Sequence, residues 1–352
     1  MDFSQWNATQ VTNNWTQQEH GHNLTLEFAT SLGIFFIILP IVAILCNIVL
    51  IGTVISNRAL HSSTNAFIIS LAVSDLLIAM FVIPQDALFL LKGHHVGGRI
   101  SCGFKEALFF LSLPASVLNL LLLTIERYAK IISPYKHRFM FCKRNTAIML
   151  TLLWLYTIIV ALYPILNPLV VHSYLPIFVF HGVCWLQFPL TYVFFQLCAN
   201  FMAPTLILLV LNGLMLAVAQ KHSKSINQLS VASANKQSCM SVSWVNMLRN
   251  MKAAKTIALL VGVFLTCWLT FLITAAINVR CNECLRRELT WLANGINYTS
   301  CALNPIIYGL LNRPIRNALP CKKTKKLKLS VSEATKLLRN KIPKCDISSA
   351  WV

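Results

Sequence analysis

Long apolar runs alternate with short polar links along most of the chain. Seven runs reach the roughly 20 residues that a helix needs to cross a bilayer: about Phe28–Ser56, Asn65–Leu91, Cys102–Ile132, Thr146–Pro168, Leu190–Ala219, Lys252–Ile277 and Glu288–Leu311, the last being the least apolar. Between the fifth and sixth runs, Lys221 to Arg249 is polar, Ser-rich and without periodicity, which predicts a flexible loop. Beyond the seventh, Asn312 to Leu319 has the pattern of a short amphipathic helix lying on a membrane surface. The fold predicted is an all-α membrane protein, a seven-helix bundle with a short eighth helix. It divides into a polar segment at 1–27, the bundle at 28–311 and a basic tail at 312–352.

Composition narrows the class. At 56% hydrophobic and 12% charged over 352 residues, the chain has half the charge of a soluble domain, about 25%. Buried helices of a large soluble enzyme would need far more charged surface. A net charge of +19 raises nucleic acid as a partner, but its placement argues against that. Residues 1–27 hold no Lys or Arg, whereas eleven follow Tyr308, and Lys130, Lys136, Arg138, Lys143 and Arg144 crowd the link after span three. Basic residues mark the cytoplasmic side, so the N-terminus lies outside and the C-terminus inside, which demands an odd number of spans. Three sequons, at Asn7, Asn14 and Asn23, fall on the outer segment and are candidate glycosylation sites. No cationic stretch with a cleavage site opens the sequence, so span one is expected to insert as its own signal.

Ionisable and polar residues inside the runs are candidates for function, because an unpaired charge in a bilayer is costly. Span two carries Asp75 at mid-depth and Asp86 eleven residues later, three turns on and near the outer end, with Pro84 between them. A watery crevice with only a folding role is the bland account of Asp75. Span three ends in Glu126-Arg127-Tyr128, and Arg127 shares a face with Ser116 and with Phe109, roughly 27 Å away. Span seven closes on Asn304-Pro305-Ile306-Ile307-Tyr308, where proline frees a carbonyl that asparagine can bond. Cys102, Cys184, Cys281 and Cys284 all fall on the outer side, where disulfides persist. Cys102–Cys184 and Cys281–Cys284 are the expected pairs, although Cys281-x-x-Cys284 also suits a metal or free thiols. Cys321, beside a lysine cluster, is a candidate palmitoylation site or a plain cytosolic thiol.

Taken in order, Asn47, Leu71 to Asp75, Cys102, Glu126-Arg127-Tyr128, Trp154, Pro204, Phe264 with Cys267-Trp268, and Asn304-Pro305 with Tyr308 resemble the rhodopsin-like (class A) G-protein-coupled receptors, nearest to the adenosine, amine and lipid-amide groups. The resemblance covers about residues 28–320. It implies a plasma-membrane receptor rather than an enzyme, and no HExxH motif or catalytic Ser-His pairing appears. Its implied partners are an extracellular small molecule, a heterotrimeric G protein, arrestin and the lipid bilayer. Glu126, Arg127, Tyr128, Asn304, Pro305 and Tyr308 would form the G-protein switch. Asp75, Ser116, Ser300 and Asn304 would hold sodium, with no other cofactor implied, and Trp268 would sit beneath the ligand.

Departures from the family pattern also bear on function. Thr270 stands where span six normally has proline, Asn212 where span five has tyrosine, and Asn250 where some members carry an acid that pairs with the arginine. Amine receptors carry an aspartate where this chain has Phe109, and retinal receptors carry a lysine at Tyr298. The pocket implied is Phe109, Leu113, Trp185, Gln196, Asn200, Trp268, Phe271, Ala275, Trp291 and Tyr298. Such an apolar and aromatic lining favours a neutral, lipid-like or nucleoside-like ligand. The alternatives are an amine receptor with a displaced acidic anchor, Asp86 or Glu106, and, from a different class, a transporter or channel. The paired internal repeats of a transporter are not visible.

Overall fold

The computed structural model describes residues 24–166, 177–180, 183–186, 190–232, 242–280 and 285–319. Helix α1 (Leu26–Ser56) starts at Thr25, whose hydroxyl accepts the Phe28 amide, with Glu27 in its positively polarised first turn. Helix α2 (Ser63–Lys92) is capped by Ser62 and stops at Gly93, whose φ of 73° suits a residue without Cβ. Helix α3 (Gly98–Ile132) runs unbroken through Pro114. A short α4 (Pro134–Met140) follows, then α5 (Lys143–Leu166). An antiparallel hairpin, β1 (Ile177–Phe180) with β2 (Val183–Leu186), packs against α3 and sets Cys184 opposite Val179. Helix α6 runs from Leu190 to Ala232, α7 over Val242–Arg280, α8 over Arg287–Leu311 and α9 over Arg313–Ala318.

Two of these helices widen just before a proline. In α2, Ile78–Val82 forms a π-turn ahead of Pro84, and in α6 Cys198–Met202 does so ahead of Pro204. A proline ring clashes with the carbonyl four residues back, and a π-turn absorbs that clash without breaking the helix. Although Pro84 lies between them, both carboxylates face α8, Asp75 through Asn304 and Asp86 through Tyr298. Helix α7 lacks the proline and has no such break. Instead, Thr270 donates its hydroxyl to the Thr266 carbonyl at 2.8 Å, and Thr266 to that of Gly262 at 2.9 Å.

Helices α1, α2, α3, α5, α6, α7 and α8 are the seven predicted spans. The first six are long and apolar enough to cross a membrane by composition, and α8, with 25 residues, is the less apolar one that the sequence singled out. Their outward faces are greasy, as with Ile38 and Leu45 on α1, Ile159 on α5 and Val210 on α6. Lipid is as apolar as these side chains, so close packing and interhelical hydrogen bonds must hold the bundle together. Asn47 on α1 donates to the Cys301 carbonyl of α8 at 2.9 Å, and the Trp154 indole on α5 to Ser70 of α2 at 3.1 Å. Phe67, Leu71, Leu120, Leu123, Phe264 and Tyr308 fill the core toward one end, and Phe36, Val82, Ile83 and Tyr298 fill it toward the other.

Cys102 near the start of α3 is fully buried and disulfide-bonded. The side chain of Cys184 lies outside the described residues, as do Cys281, Cys284, Cys321, Asn7, Asn14 and Asn23. Loss of a native bridge costs about 2–5 kcal/mol in small secreted domains. Cys102→Ser should therefore cut surface display several-fold, measured by labelling an N-terminal tag on intact cells. Wild-type display would show that the bridge does not hold this end of the bundle.

Candidate functional site

Three layers of polar side chains cross the apolar bundle. At the end next to the hairpin, Lys105 on α3 reaches Asp86 on α2, Nζ to Oδ1, at 2.6 Å, and contacts Glu106 Oε1 at 3.3 Å. The Tyr298 hydroxyl of α8 donates to the other oxygen of Asp86, also at 2.6 Å. Two carboxylates thus share one ammonium, leaving one formal negative charge. His95, in the link before α3, adds no second cation. Burial pushes its imidazole pKa down, and the Lys105 charge lowers it further while Asp86 opposes, so the ring is neutral at pH 7.

Tyr298 joins this cluster to an aromatic box. Its ring stands edge-on to Phe109 at 6.5 Å, and Phe109 lies 5.3 Å from Phe271 and 6.2 Å from Trp268. Leu113 is buried in the core beside Phe264 and Trp268, and Ala275 is half-buried one turn beyond Phe271. The other expected pocket residues are placed differently. Trp291 stacks on Phe89 at 5.5 Å and leans on Phe36 at 6.3 Å, wedged between α1 and α2. Gln196 and Asn200 are buried in a relay: Tyr156 donates to Asn200, Asn200 to Gln196, Gln196 to Tyr192, and Tyr192 to the Val160 carbonyl. Each amide is thereby occupied in tying α5 to α6. The Trp185 side chain lies outside the described residues.

Below the box, Asp75, Ser112, Ser116, Asn297, Ser300 and Cys301 line a small cavity of about 10 Å³, room for roughly one water or small ion. Asn304 donates its amide to Asp75 at 3.0 Å, so it steadies the carboxylate rather than offering an oxygen. Ser300 donates to the Asn297 carbonyl at 2.7 Å, while Asn297 Oδ1 is buried without a hydrogen-bond partner among the described residues. The Asp75 carboxylate, the hydroxyls of Ser116 and Ser300 and this spare amide oxygen form a hard-oxygen set that fits a small cation such as sodium.

At the opposite end Glu126 is fully buried, and three basic groups meet its carboxylate. His137 Nε2 lies 2.7 Å away, Arg127 Nε 3.5 Å and Lys130 Nζ 3.9 Å. His137 belongs to α4 and stacks on Phe141 at 5.5 Å, which packs edge-on against Phe67 at 6.3 Å. Tyr308 is buried on the facing side of α8, and its hydroxyl has no hydrogen-bond partner among the described residues. Tyr128 is half-buried, and the Asn250 side chain lies outside the described residues.

Residues 46–308 match the family of the 7 transmembrane receptor (rhodopsin family), three quarters of the chain. The chain belongs to this rhodopsin family. Among relatives, the octopamine receptor beta-1R of Drosophila melanogaster is 27% identical over 322 residues, 86% of this chain and 63% of that one. The alpha-1A adrenergic receptor of Homo sapiens is 26% identical over 348 residues, 90% and 72%. The histamine H2 receptor of Homo sapiens is 27% identical over 288 residues, 79% and 75%. The chain thus spans just under two thirds of the octopamine receptor. The names of these three relatives refer to octopamine, adrenergic and histamine reception.

Sequence reasoning missed three partners. Lys105 is a cation near the start of an apolar run, Asn297 is one of several amides in span seven, and His137 sits in a link that reads only as basic surface. The signal for Lys105 was its adjacency to Glu106, since neither charge is affordable there alone. Two predictions follow from the geometry of the lower layers. Glu126→Gln releases Arg127 and His137 and should raise ligand-independent signalling about fivefold, near 1 kcal/mol, in a second-messenger assay at matched surface amounts. A variant as quiet as wild type would show that the carboxylate does not restrain Arg127. Asp75→Asn should remove any sodium dependence of agonist affinity in membranes. Equal sodium sensitivity in the variant would place the cation elsewhere.

Proposed function

We propose that this protein is a plasma-membrane receptor that binds an extracellular small organic cation of the amine class and passes the signal to a heterotrimeric G protein. The observation that carries the reading is the outer charge cluster. Asp86 and Glu106 share the single ammonium of Lys105 above a box of Phe109, Trp268, Phe271 and Tyr298. A surplus carboxylate over aromatic rings attracts a cation twice, by charge and by the rings' electron-rich faces. A neutral ligand, which the aromatic residues alone favoured, has no use for that surplus. Similarity to octopamine, adrenergic and histamine receptors points the same way.

In this reading the basic links face the cytoplasm, Glu126, Arg127, Tyr128, Asn304, Pro305 and Tyr308 form the G-protein switch, and arrestin meets the same face. Cys102 pairs with Cys184 and Cys281 with Cys284 on the outside, where Asn7, Asn14 and Asn23 carry glycans. Cys321 is palmitoylated beside the basic tail, and sodium sits against Asp75, Ser116 and Ser300.

The test is a second-messenger screen in cells displaying the receptor, with octopamine and histamine against adenosine and a lipid amide. At least one amine should act, and Asp86→Asn/Glu106→Gln should lower its potency at least tenfold, since a hydrogen bond to a charged group is worth about 1.5–3 kcal/mol. Response to adenosine or the lipid amide alone, or an unshifted dose curve in the double variant, would overturn the amine assignment.

A further inference from the structure

The two acids of the outer cluster are not equivalent. Asp86 is engaged at both oxygens: one meets the Lys105 ammonium at 2.6 Å, the other accepts from Tyr298 at 2.6 Å, and its side chain is 4% exposed. Glu106 touches Lys105 only at 3.3 Å and keeps 19% of its side chain exposed. The ammonium is therefore committed to Asp86, and the surplus negative charge resides on Glu106.

Helical spacing then sets the geometry. Glu106 stands three residues before Phe109, so the two share a face of α3, with the carboxylate almost one turn farther toward the hairpin end. Phe109 fills the middle of the aromatic box, against Trp268, Phe271 and Tyr298.

We infer that Glu106 is the residue that anchors the ligand's ammonium, and that Lys105 and Asp86 form an internal ion pair that keeps the lysine from occupying that anchor. The inference rests on the amine reading and goes further by assigning each charge its part. Asp86, Lys105 and Tyr298 are the positioning group, and Glu106 sets ligand specificity. The ligand body lies one turn deeper, on the face of Phe109. An amine bound this way must be long enough to bridge Glu106 and the aromatic box, which favours an arylethylamine over a small aliphatic amine.

The test uses two double variants that each retain one acid, no lysine and the same net charge. Asp86→Asn/Lys105→Met leaves Glu106 alone, and Glu106→Gln/Lys105→Met leaves Asp86 alone. At matched surface display, octopamine should be at least tenfold more potent on the first than on the second. The reverse order, or equal potency, would overturn the assignment of Glu106 while leaving the amine reading intact. Failure of both octopamine and histamine on the wild type would overturn both. If either double variant does not reach the surface, single variants decide. Glu106→Asp should recover most of the potency lost in Glu106→Gln, whereas equal losses in the two would show that the carboxylate is not the anchor.

Discussion

A carboxylate inside an apolar bundle must find a positive or donating partner, because unpaired burial of a charge costs several kcal/mol. Three acids, Asp86, Asp75 and Glu126, meet this constraint at three depths, and each does so by reaching to another element. Asp86 on α2 takes Lys105 of α3 and Tyr298 of α8. Asp75 on α2 takes Asn304 of α8, and Glu126 on α3 takes His137 of α4. Lipid supplies little force to pull helices together. These contacts therefore fix which faces of α2, α3 and α8 meet, and the aromatic packing around them follows.

The same economy separates structural polarity from functional polarity. Gln196 and Asn200 are spent on each other and on Tyr156 and Tyr192, so they set the seam between α5 and α6. Trp291 is spent on Phe89 and Phe36. Glu106, in the cluster at the hairpin end, keeps a long contact and partial exposure, and Asn297 Oδ1 lies beside Asp75 on the wall of the small cavity. The layer at the opposite end is a three-way contest, since Glu126 serves Arg127, Lys130 and His137 together. Any rearrangement that takes Arg127 away leaves the carboxylate to the other two, so the cost of releasing the arginine is cushioned by its neighbours. His137 makes the shortest of the three contacts, which links the conformation of α4 to the arginine.

Helix breaks show the same division between local cause and global effect. Pro84 and Pro204 each provoke a π-turn, while α7, with Thr270 in place of proline, has no equivalent relief and uses Thr270 and Thr266 to bond their own helix. Any outward swing of α7 must therefore use a bend other than a proline hinge.

Hydrophobic run length and the one-sided distribution of lysine and arginine were enough to determine seven spans and a helical bundle, because in lipid every backbone amide must be satisfied within its own segment. The identity of Asp75, Glu126, Arg127 and Asn304 as special residues was legible for the same reason: a polar group in such a run has to be accounted for. Which partner each one takes was not legible. Lys105 reads as one more charge near a helix end, His137 as part of a basic link, and Gln196 as pocket lining. Pairing depends on how α2, α3, α4 and α8 turn toward one another, and the sequence of one helix carries no record of a neighbour's rotation. Only the tertiary structure decided that Asp86 is already neutralised from within and that Glu106 is left with charge to offer, because that outcome turns on distances of 2.6 Å and 3.3 Å between side chains of different helices and of adjacent residues.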